Sequence, residues 1–230
     1  MTGWLILGGS GHARSLASII RGRGDRVAAV SDSGLPVEPV AGSPEAEAFR
    51  NLDGTLPRWF TADDEGVDFA VAEGLAITIG IGANGVRRRI ADRLLADPRL
   101  SALAPALVAR SATVDVTAEL GAYTQVAEHA HVGPLSQVGT AVIVNTAAVV
   151  EHDCFVGAGT HLAPGSVLLG AVRVGSGAFL GSGSRVLPGL ELGDETVLGA
   201  GAVATRPLDG MATYVGVPAR RLPSTKGPAH

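Results

Sequence analysis

Residues 149–164 read VVEHDCFVGAGTHLAP, and their spacing predicts the architecture of most of the chain. Within this stretch, Val150, Val156 and Leu162 stand at intervals of six residues, and most of their neighbours are small or aliphatic. Continued in both directions, the same interval falls on Val or Leu at fifteen successive steps across residues 114–198. A period of this length without a slip indicates a hexapeptide repeat, the sequence sign of a β-helix solenoid.

Each six-residue step is interpreted as a short strand followed by a corner. Because side chains alternate along a strand, the repeated aliphatic residue and the small residue two places before it should both point inward. Glycine follows the aliphatic residue in eight of the steps. Glycine suits such corners because it permits a close backbone approach and a positive φ.

Residues 1–100 follow a different pattern. The run WLIL, the glycine loop GGSGHA and the apolar residues that follow at helical spacing predict a strand, a loop and a helix. RVAAVSD and ITIGIG predict further strands, and GVRRRIADRLL predicts a second helix. Alternating strands and helices are typical of a small, Rossmann-like parallel α/β domain. Residues 33–66 show little pattern, and we expect a loop with short elements there.

The composition limits the classes of protein that the chain can represent. Apolar residues make up 46% and charged residues 17%, which is enough apolar content for a packed core. The formal net charge is −4 and there is no run of five or more Lys or Arg, which argues against non-specific nucleic-acid binding. The single cysteine, Cys154, excludes an internal disulfide and fits a reducing compartment. With no signal-peptide pattern and no apolar run of about 18 residues, we expect a soluble cytoplasmic protein.

Four stretches resemble the NeuD- and PglD-type family of sugar acetyltransferases. They are LGGSGHA, GANGVRRR, NTAAVVEHDC with a second histidine nine residues after the first, and GAGAVAT followed by YVGVPAR. The resemblance implies a left-handed β-helix of about five coils. It also implies a homotrimer with active sites between subunits, and acetyl transfer from acetyl-CoA to an amino group of a nucleotide-linked sugar, such as a 4-amino-4,6-dideoxy sugar. Three regions are therefore predicted: a nucleotide-sugar-binding domain (1–100), an acetyltransferase β-helix (101–210) and a tail (211–230).

The EHD segment carries the predicted base. His152 lies two places after the inward Val150, so we expect it at an outward corner. Imidazole titrates near neutrality and can therefore accept a proton from an attacking amine, and the resemblance assigns the base to this histidine. Asp153 or Glu151 would orient the ring; the residues alone leave both open, and the resemblance favours Asp153. Cys154 is expected to be a buried core thiol, so we expect direct transfer.

A second histidine is predicted to act on the acetyl group. His161 precedes the inward Leu162 and should therefore point outward, and the resemblance gives it a hydrogen bond to the acetyl carbonyl. Arg220 and its neighbour Arg221 could meet the phosphates of CoA. The acetyl-CoA-binding residues implied by the resemblance are His161, Gly170, Gly199, Ala200 and Arg220.

The glycine loop at residues 8–13 is predicted to hold phosphate, because a helix N-terminus after a strand presents free N–H groups. Arg14 occupies the third glycine place of a dinucleotide fingerprint, which disfavours a redox cofactor and favours a nucleotide-sugar diphosphate. Other side chains at strand ends would line the same crevice. The predicted substrate-binding residues are Gly9, Ser10, Gly11, His12, Asp32, Gly82, Asn84, Arg87 and Asn145.

Three alternatives stay open. The same base could serve O-acetylation of a sugar of the sialic-acid type. A carbonic anhydrase built on this repeat would need three histidine ligands, and no trio is obvious among His129, His131, His152 and His161, so no metal is expected. A non-catalytic nucleotide-sugar-binding protein would not depend on His152.

Overall fold

The computed structural model describes residues 1–34 and 40–223, so the end of the predicted tail lies outside the described residues. An N-terminal α/β unit comes first, with a four-stranded parallel sheet in the order β3-β2-β1-β4. Its elements are β1 (Gly3–Leu7), α1 (Gly11–Gly22), β2 (Arg26–Ser31), α2 (Pro44–Glu47), β3 (Arg58–Phe60), α3 (Asp63–Glu73), β4 (Ala76–Ile79) and α4 (Asn84–Leu95). This confirms the predicted parallel α/β architecture.

Strand β1 shows why both faces of this sheet are covered. Trp4 and Ile6 pack with α1, whereas Leu5 and Leu7 point to the opposite face, where α3 and α4 lie. All four side chains are buried. A strand that is apolar on both faces needs helices on both sides, as parallel sheets usually have. The helices therefore leave the carboxyl ends of β1 and β4 free to carry loops.

A 3-10 helix (Pro98–Leu103) leads into the β-helix, whose strands are two or three residues long. In chain order these are β5 (Leu107–Val108), β6 (Thr113–Val114), β7 (Glu119–Leu120), β8 (Gln125–Val126), β9 (His131–Val132), β10 (Gln137–Val138), β11 (Ile143–Val144), β12 (Val149–Val150), β13 (Phe155–Val156), β14 (His161–Leu162), β15 (Val167–Leu168), β16 (Arg173–Val174), β17 (Phe179–Leu180), β18 (Arg185–Val186), β19 (Glu191–Leu192), β20 (Val197–Leu198), β21 (Val203–Ala204), β22 (Thr213–Val215) and β23 (Arg220–Arg221).

These strands form three parallel faces of a prism. Face 1 contains β5, β8, β11, β14, β17, β20 and β22, with β23 antiparallel at its end. Face 2 contains β6, β9, β12, β15, β18 and β21, and face 3 contains β7, β10, β13, β16 and β19. We name the corners by the faces they join: residues 151–154, for example, form part of corner 2–3.

The interior confirms the pattern read from the repeat. Val150, Val156 and Leu162 are fully buried in one apolar cluster that runs through the prism. The predicted small inward residues Cys154 and Thr160 are buried beside them. Face 1 has seven parallel strands, which makes about six turns between residues 107 and 214, one more than the five expected. The architecture is consistent with the left-handed β-helix that was predicted.

Glycines at the corners serve two separate purposes. A Cβ added to Gly157 would collide with the backbone nitrogen of Ser176 in the next coil, so this position requires close backbone approach. Gly159, two residues later, has φ of 69°, a conformation that glycine adopts without strain. The domain boundaries at residues 100 and 210 remain predictions. Within residues 1–34 and 40–223, no helix has the length and apolarity needed to cross a bilayer.

Candidate active site

His152 and Asp153 form a hydrogen-bonded pair at corner 2–3. The Nδ1–H of His152 donates to Asp153 Oδ2 at 2.7 Å, because an ionised carboxylate can only accept. Asp153 has φ of 58°, and this turn of the backbone brings its carboxylate back to the ring. The His152 side chain is 58% exposed, and its Nε2 keeps a lone pair for a proton. Among the described residues, the Glu151 carboxylate makes no hydrogen bond to this ring.

Gly170 lies one coil further along the same corner, against the imidazole. A Cβ at Gly170 would stand 2.5 Å from both Cε1 and Nε2 of His152. Only glycine therefore leaves Nε2 accessible here. The resemblance implies that Gly170 binds acetyl-CoA, and the structure places it beside the predicted base. Buried Cys154 donates its thiol to the Leu169 carbonyl at 3.3 Å, and burial raises its pKa, so this thiol is poorly suited to attack.

His161 lies on face 1 with a defined tautomer. Asn145 Oδ1 accepts from the Thr146 N–H at 2.8 Å, which directs Asn145 Nδ2 to donate to His161 Nε2 at 3.0 Å. His161 Nε2 is therefore the acceptor, and the proton resides on Nδ1. The Phe179 ring meets this imidazole edge-on, with centroids 5.3 Å apart. Asn145, which was predicted to bind the sugar, lies next to the predicted acetyl site.

Burial lowers the pKa of His161 to about 4, with smaller effects from the nearby Arg87 and His12. The ring is therefore neutral at physiological pH. A neutral imidazole with a proton on Nδ1 can donate a hydrogen bond to a carbonyl oxygen without acting as an acid. This chemistry matches the role predicted for His161.

His12 connects the glycine loop to face 1. Gln125 Nε2 donates to the Ile79 carbonyl at 2.7 Å, so Gln125 Oε1 accepts from His12 Nε2 at 2.7 Å. The rings of His12 and His161 have centroids 6.5 Å apart. Burial lowers the pKa of His12 as well. Gln125, which was not predicted from the sequence, fixes the His12 tautomer. It could have been found as a polar residue at an outward position of the repeat that the α/β unit covers.

The glycine loop opens α1 as predicted. Ser10 precedes the helix without forming a side-chain cap, and the first turn has no acidic residue. Gly11 has open space around its Cα. Asp32 lies over the loop, because its Oδ2 accepts from the Gly9 N–H at 2.7 Å. The remaining free N–H groups suit an anion.

A cavity of about 850 Å³ separates the start of α4 from face 1. Gly82, Asn84, His161 and Phe179 line it. Arg88 and Arg89 also line it, although the sequence analysis had not selected them. Their spacing could have predicted this, because each lies four residues after Asn84 or Gly85 and therefore on the same face of α4.

A second cavity, of about 520 Å³, continues the first along face 1. The two share Glu195 and Val197, and the second ends at Thr213 and Arg221. Together they form a groove, which we name the face 1 groove, from His161 to Arg221. Of the residues predicted to bind CoA, only His161 lines either cavity, and Gly170, Gly199, Ala200 and Arg220 do not. Arg220 donates instead to the neighbouring Ala219 carbonyl at 3.0 Å.

Arg87 is placed differently from its predicted role. Its side chain is fully buried, and its nitrogens donate to main-chain carbonyls, including Ala141 at 2.8 Å and Gly159 at 2.8 Å. A buried guanidinium committed to carbonyls cannot also bind the substrate directly. The predicted substrate contact is therefore replaced by a contact between the α/β unit and the β-helix.

The two histidines predicted to be catalytic do not meet within one chain. His161 lies on face 1, whereas His152 lies at corner 2–3, the corner opposite that face. The apolar interior of the prism separates them. One copy of the chain therefore presents the two imidazoles on opposite sides. Within the described ranges, no three His, Cys, Asp or Glu side chains cluster closely enough to hold a metal ion.

Comparisons with known proteins agree with this architecture. Residues 171–206 match the family model described as the hexapeptide repeat of succinyl-transferase. A variant of perosamine N-acetyltransferase from Caulobacter crescentus, solved with CoA and GDP-perosamine, is 32% identical, with coverage of 97% of this chain and 98% of that chain and a TM-score of 0.80. The acetyltransferase domain of PglB from Neisseria gonorrhoeae, solved with acetyl coenzyme A, is 28% identical, with coverage of 96% and 98% and a TM-score of 0.80. WeeI from Acinetobacter baumannii shares the fold at 22% identity, coverage of 96% and 100% and a TM-score of 0.77.

Proposed function

The chain belongs to the NeuD- and PglD-type family of sugar acetyltransferases, and from this premise we propose that His152 is the general base that activates the amine of its nucleotide-sugar acceptor. The chain is an acetyl-CoA-dependent acetyltransferase of nucleotide-linked amino sugars. We further propose that the acceptor is the amino group of a 4-amino-4,6-dideoxy sugar. The observation that carries the assignment of the base is the 2.7 Å bond from His152 Nδ1 to Asp153, which leaves Nε2 to accept a proton.

The reaction follows from these positions. The acceptor nitrogen attacks the thioester carbonyl carbon, and His152 Nε2 takes the proton that the nitrogen loses. The resulting oxyanion receives a hydrogen bond from His161 Nδ1–H. The intermediate then collapses and the carbon–sulfur bond breaks. The CoA sulfur leaves with the proton held by His152, and the N-acetylated sugar and free CoA are released.

The face 1 groove fits the arm of acetyl-CoA. With the acetyl group at His161, the arm would cross the rungs of Phe179, Val197 and Thr213. Successive rungs are about 4.8 Å apart, so the three steps span about 14 Å before Arg221 is reached. Arg221 would then meet the phosphates, and we propose it for this contact because it lines the groove and Arg220 does not. The arginines of α4 and the glycine loop remain for the nucleotide sugar.

We also propose that the chain forms a homotrimer, because the site is incomplete in one copy. Corner 2–3 of one copy would bring His152 to the face 1 groove of the next. The same corner exposes apolar side chains in the two coils that precede His152, with Val116 99% and Leu135 63% exposed. Exposed apolar residues along the edge that carries a catalytic group are the expected signature of an interface.

Turnover of nucleotide sugars tests the function. We would supply acetyl-CoA with a panel of amino sugars linked to GDP, UDP and dTDP, and with matched sugars that carry a hydroxyl group instead, and measure thiol release. Turnover of an amino sugar is expected; turnover of the hydroxyl sugars alone would contradict N-acetylation.

Two variants test the base. His152→Ala should lower kcat by at least about 100-fold while the nucleotide sugar still binds. Glu151→Gln is the matched control, since this neighbouring carboxylate has no bond to the ring, and it should retain most of the activity. Full activity in His152→Ala would refute the assignment.

A further inference from the structure

Arg87 is a fully buried arginine without a carboxylate partner among the described residues. Its Nε donates to the Ala141 carbonyl at 2.8 Å. One terminal nitrogen donates to the carbonyls of Ile81 at 3.2 Å and Gly82 at 2.7 Å. The other donates to Asn84 Oδ1 at 3.0 Å and to the Gly159 carbonyl at 2.8 Å. All five N–H groups of the guanidinium are therefore used.

Such a residue is uncommon, because buried charges in proteins are normally paired with an opposite charge. Burial lowers the pKa of Arg87 to about 10, so the side chain still carries its positive charge at neutral pH. A neutral side chain could fill the same space without desolvating a charge. The carbonyls that Arg87 contacts and the position of its charge indicate the role of this side chain.

The β-helix carbonyls that accept from Arg87 form a column at corner 3–1, the corner that joins face 3 to face 1. Ala141 and Gly159 occupy equivalent places in successive coils, each two residues before an outward side chain of face 1. Asn84 continues the column, because its Nδ2 donates to the carbonyls of Gly177 at 3.0 Å and Ala178 at 2.9 Å. The start of α4 is therefore attached to three coils, directly beside His161.

The carbonyls on the other side belong to the loop that follows β4. Ile81 and Gly82 accept from the same guanidinium that holds Gly159. Gly82 also lines the cavity that His161 shares with Arg88 and Arg89, the arginines left for the nucleotide sugar. One side chain thus sets the separation between the loop near the acceptor and the face that holds the acetyl group.

The charge of Arg87 also lies close to the reacting groups. It contributes to the lowered pKa of both His161 and His12, after the larger effect of burial. A permanent cation near His161 adds to the effect of burial, which already favours the neutral imidazole. It also favours negative charge at the position where the oxyanion would develop.

We propose that Arg87 is a positioning residue that fixes the α/β unit over the acetyl-transfer face and places a buried positive charge behind His161. This inference rests on the proposed function, because it assigns the acetyl carbonyl to His161. It differs from a substrate-binding role in its kinetic consequence. Misplacement of the two units should slow the chemical step and leave the affinity for each substrate nearly intact.

Variants at this position test the proposal. Arg87→Lys keeps the charge but loses the planar set of donors, and Arg87→Met loses both. Arg93→Met is the matched control, because Arg93 lies on the same helix with its side chain 54% exposed. We expect kcat to fall about 10-fold in Arg87→Lys and about 100-fold in Arg87→Met, with both KM values within about threefold of the native ones. Arg93→Met should match the native enzyme.

Three results would overturn the proposal. One is native kcat in either folded Arg87 variant, and another is a loss confined to the KM of the nucleotide sugar, which would make Arg87 a substrate contact. The third comes from the native protein and applies even where the variants fail to fold: an NMR titration in which His161 titrates at pH 6 or above would contradict a buried, cation-flanked imidazole at this position. If the native protein turns over no nucleotide sugar, the proposed function fails, and the titration still tests the surroundings proposed for His161.

Discussion

At the scale of single residues, the chemistry depends on which nitrogen of His152 faces the acceptor. Asp153 accepts from Nδ1 and thereby leaves Nε2 exposed beside Gly170. The pair is formed by adjacent residues, so it needs no other part of the fold to assemble it. The left-handed backbone at Asp153 is what makes this short-range contact possible.

Replacing the carboxylate should therefore impair the base without removing it. We expect Asp153→Asn to lower kcat about 10- to 100-fold, because the amide carries no charge to stabilise the imidazolium that forms in the reaction. The KM for acetyl-CoA should change little. Steady-state kinetics with both substrates would measure this, and an unchanged kcat would mean that the Asp153 contact is not used.

Gly170 gives a second test of the same corner. A Cβ there would collide with His152 Cε1 and Nε2, so Gly170→Ala should displace the ring and lower kcat at least about 10-fold. The imidazole is half-exposed and can rotate away, so the melting temperature should change little. Equal losses of activity and stability would instead indicate general damage to the coil.

The buried histidine of face 1 predicts a dependence of stability on pH. The unfolded chain binds a proton at His161 near pH 6.5, whereas the folded chain does so only near pH 4. The unfolded state therefore holds more protons between these values, and the free energy of unfolding should fall as the pH is lowered from 6.5 to 4. Chemical denaturation across this range would show a shallower slope in His161→Gln. The exposed His129 provides the control, since His129→Gln should keep the native slope.

At the scale of secondary structure, corner glycines should control stability where they touch the next coil. Gly157→Ala would force a methyl group against the backbone nitrogen of Ser176, which cannot move without disturbing the ladder of strands. We expect a loss of about 1–3 kcal/mol in the free energy of unfolding. Thermal unfolding would measure it, and a melting temperature equal to that of the native protein would contradict the close approach of the two coils at this corner.

The β-helix could be predicted from sequence because its period is local and repeats without a slip. Helix α3 could not be predicted in the same way. Its Gly66 lowers the helix propensity of this segment. Glycine is needed there because a Cβ would lie 2.9 Å from the Ser31 Cβ of the strand beneath. The cause of that glycine is a contact between elements 35 positions apart in the chain. No local pattern encodes such a contact.

Helix α4 shows a prediction that succeeded in part. The helix was expected from apolar residues that included Val86 and Leu95, yet both are partly exposed in the structure. The face that packs inward carries Arg87, Ala91 and Leu94. An arginine on the buried stripe looks like a surface residue in the sequence, because its burial depends on carbonyls supplied by the β-helix. This is why a substrate contact was predicted where the structure has a junction.

At the scale of the whole molecule, the separation of His152 from His161 gives the most direct test of assembly. His152→Ala and His161→Ala should each be inactive alone. Unfolded together and refolded as mixed trimers, they should recover activity, because a site with both histidines forms wherever the two variants meet in the correct order. Random mixing would restore about a quarter of the native activity. No recovery in trimers shown to be mixed would place both histidines of each site in one chain.

The repeating coil means that the β-helix can lengthen or shorten only by whole coils. From β5 to β21 corresponding strands recur every 18 residues, so an insertion of one whole coil there keeps every later strand on its own face. The distance from His161 to Arg221 can therefore change only in increments of about 4.8 Å. The number of coils therefore fixes the length of the face 1 groove. The number of coils beyond His161 would then match the length of the cofactor arm. Removing one whole coil there should leave a folded protein in which His161 and Arg221 are too close together for that arm.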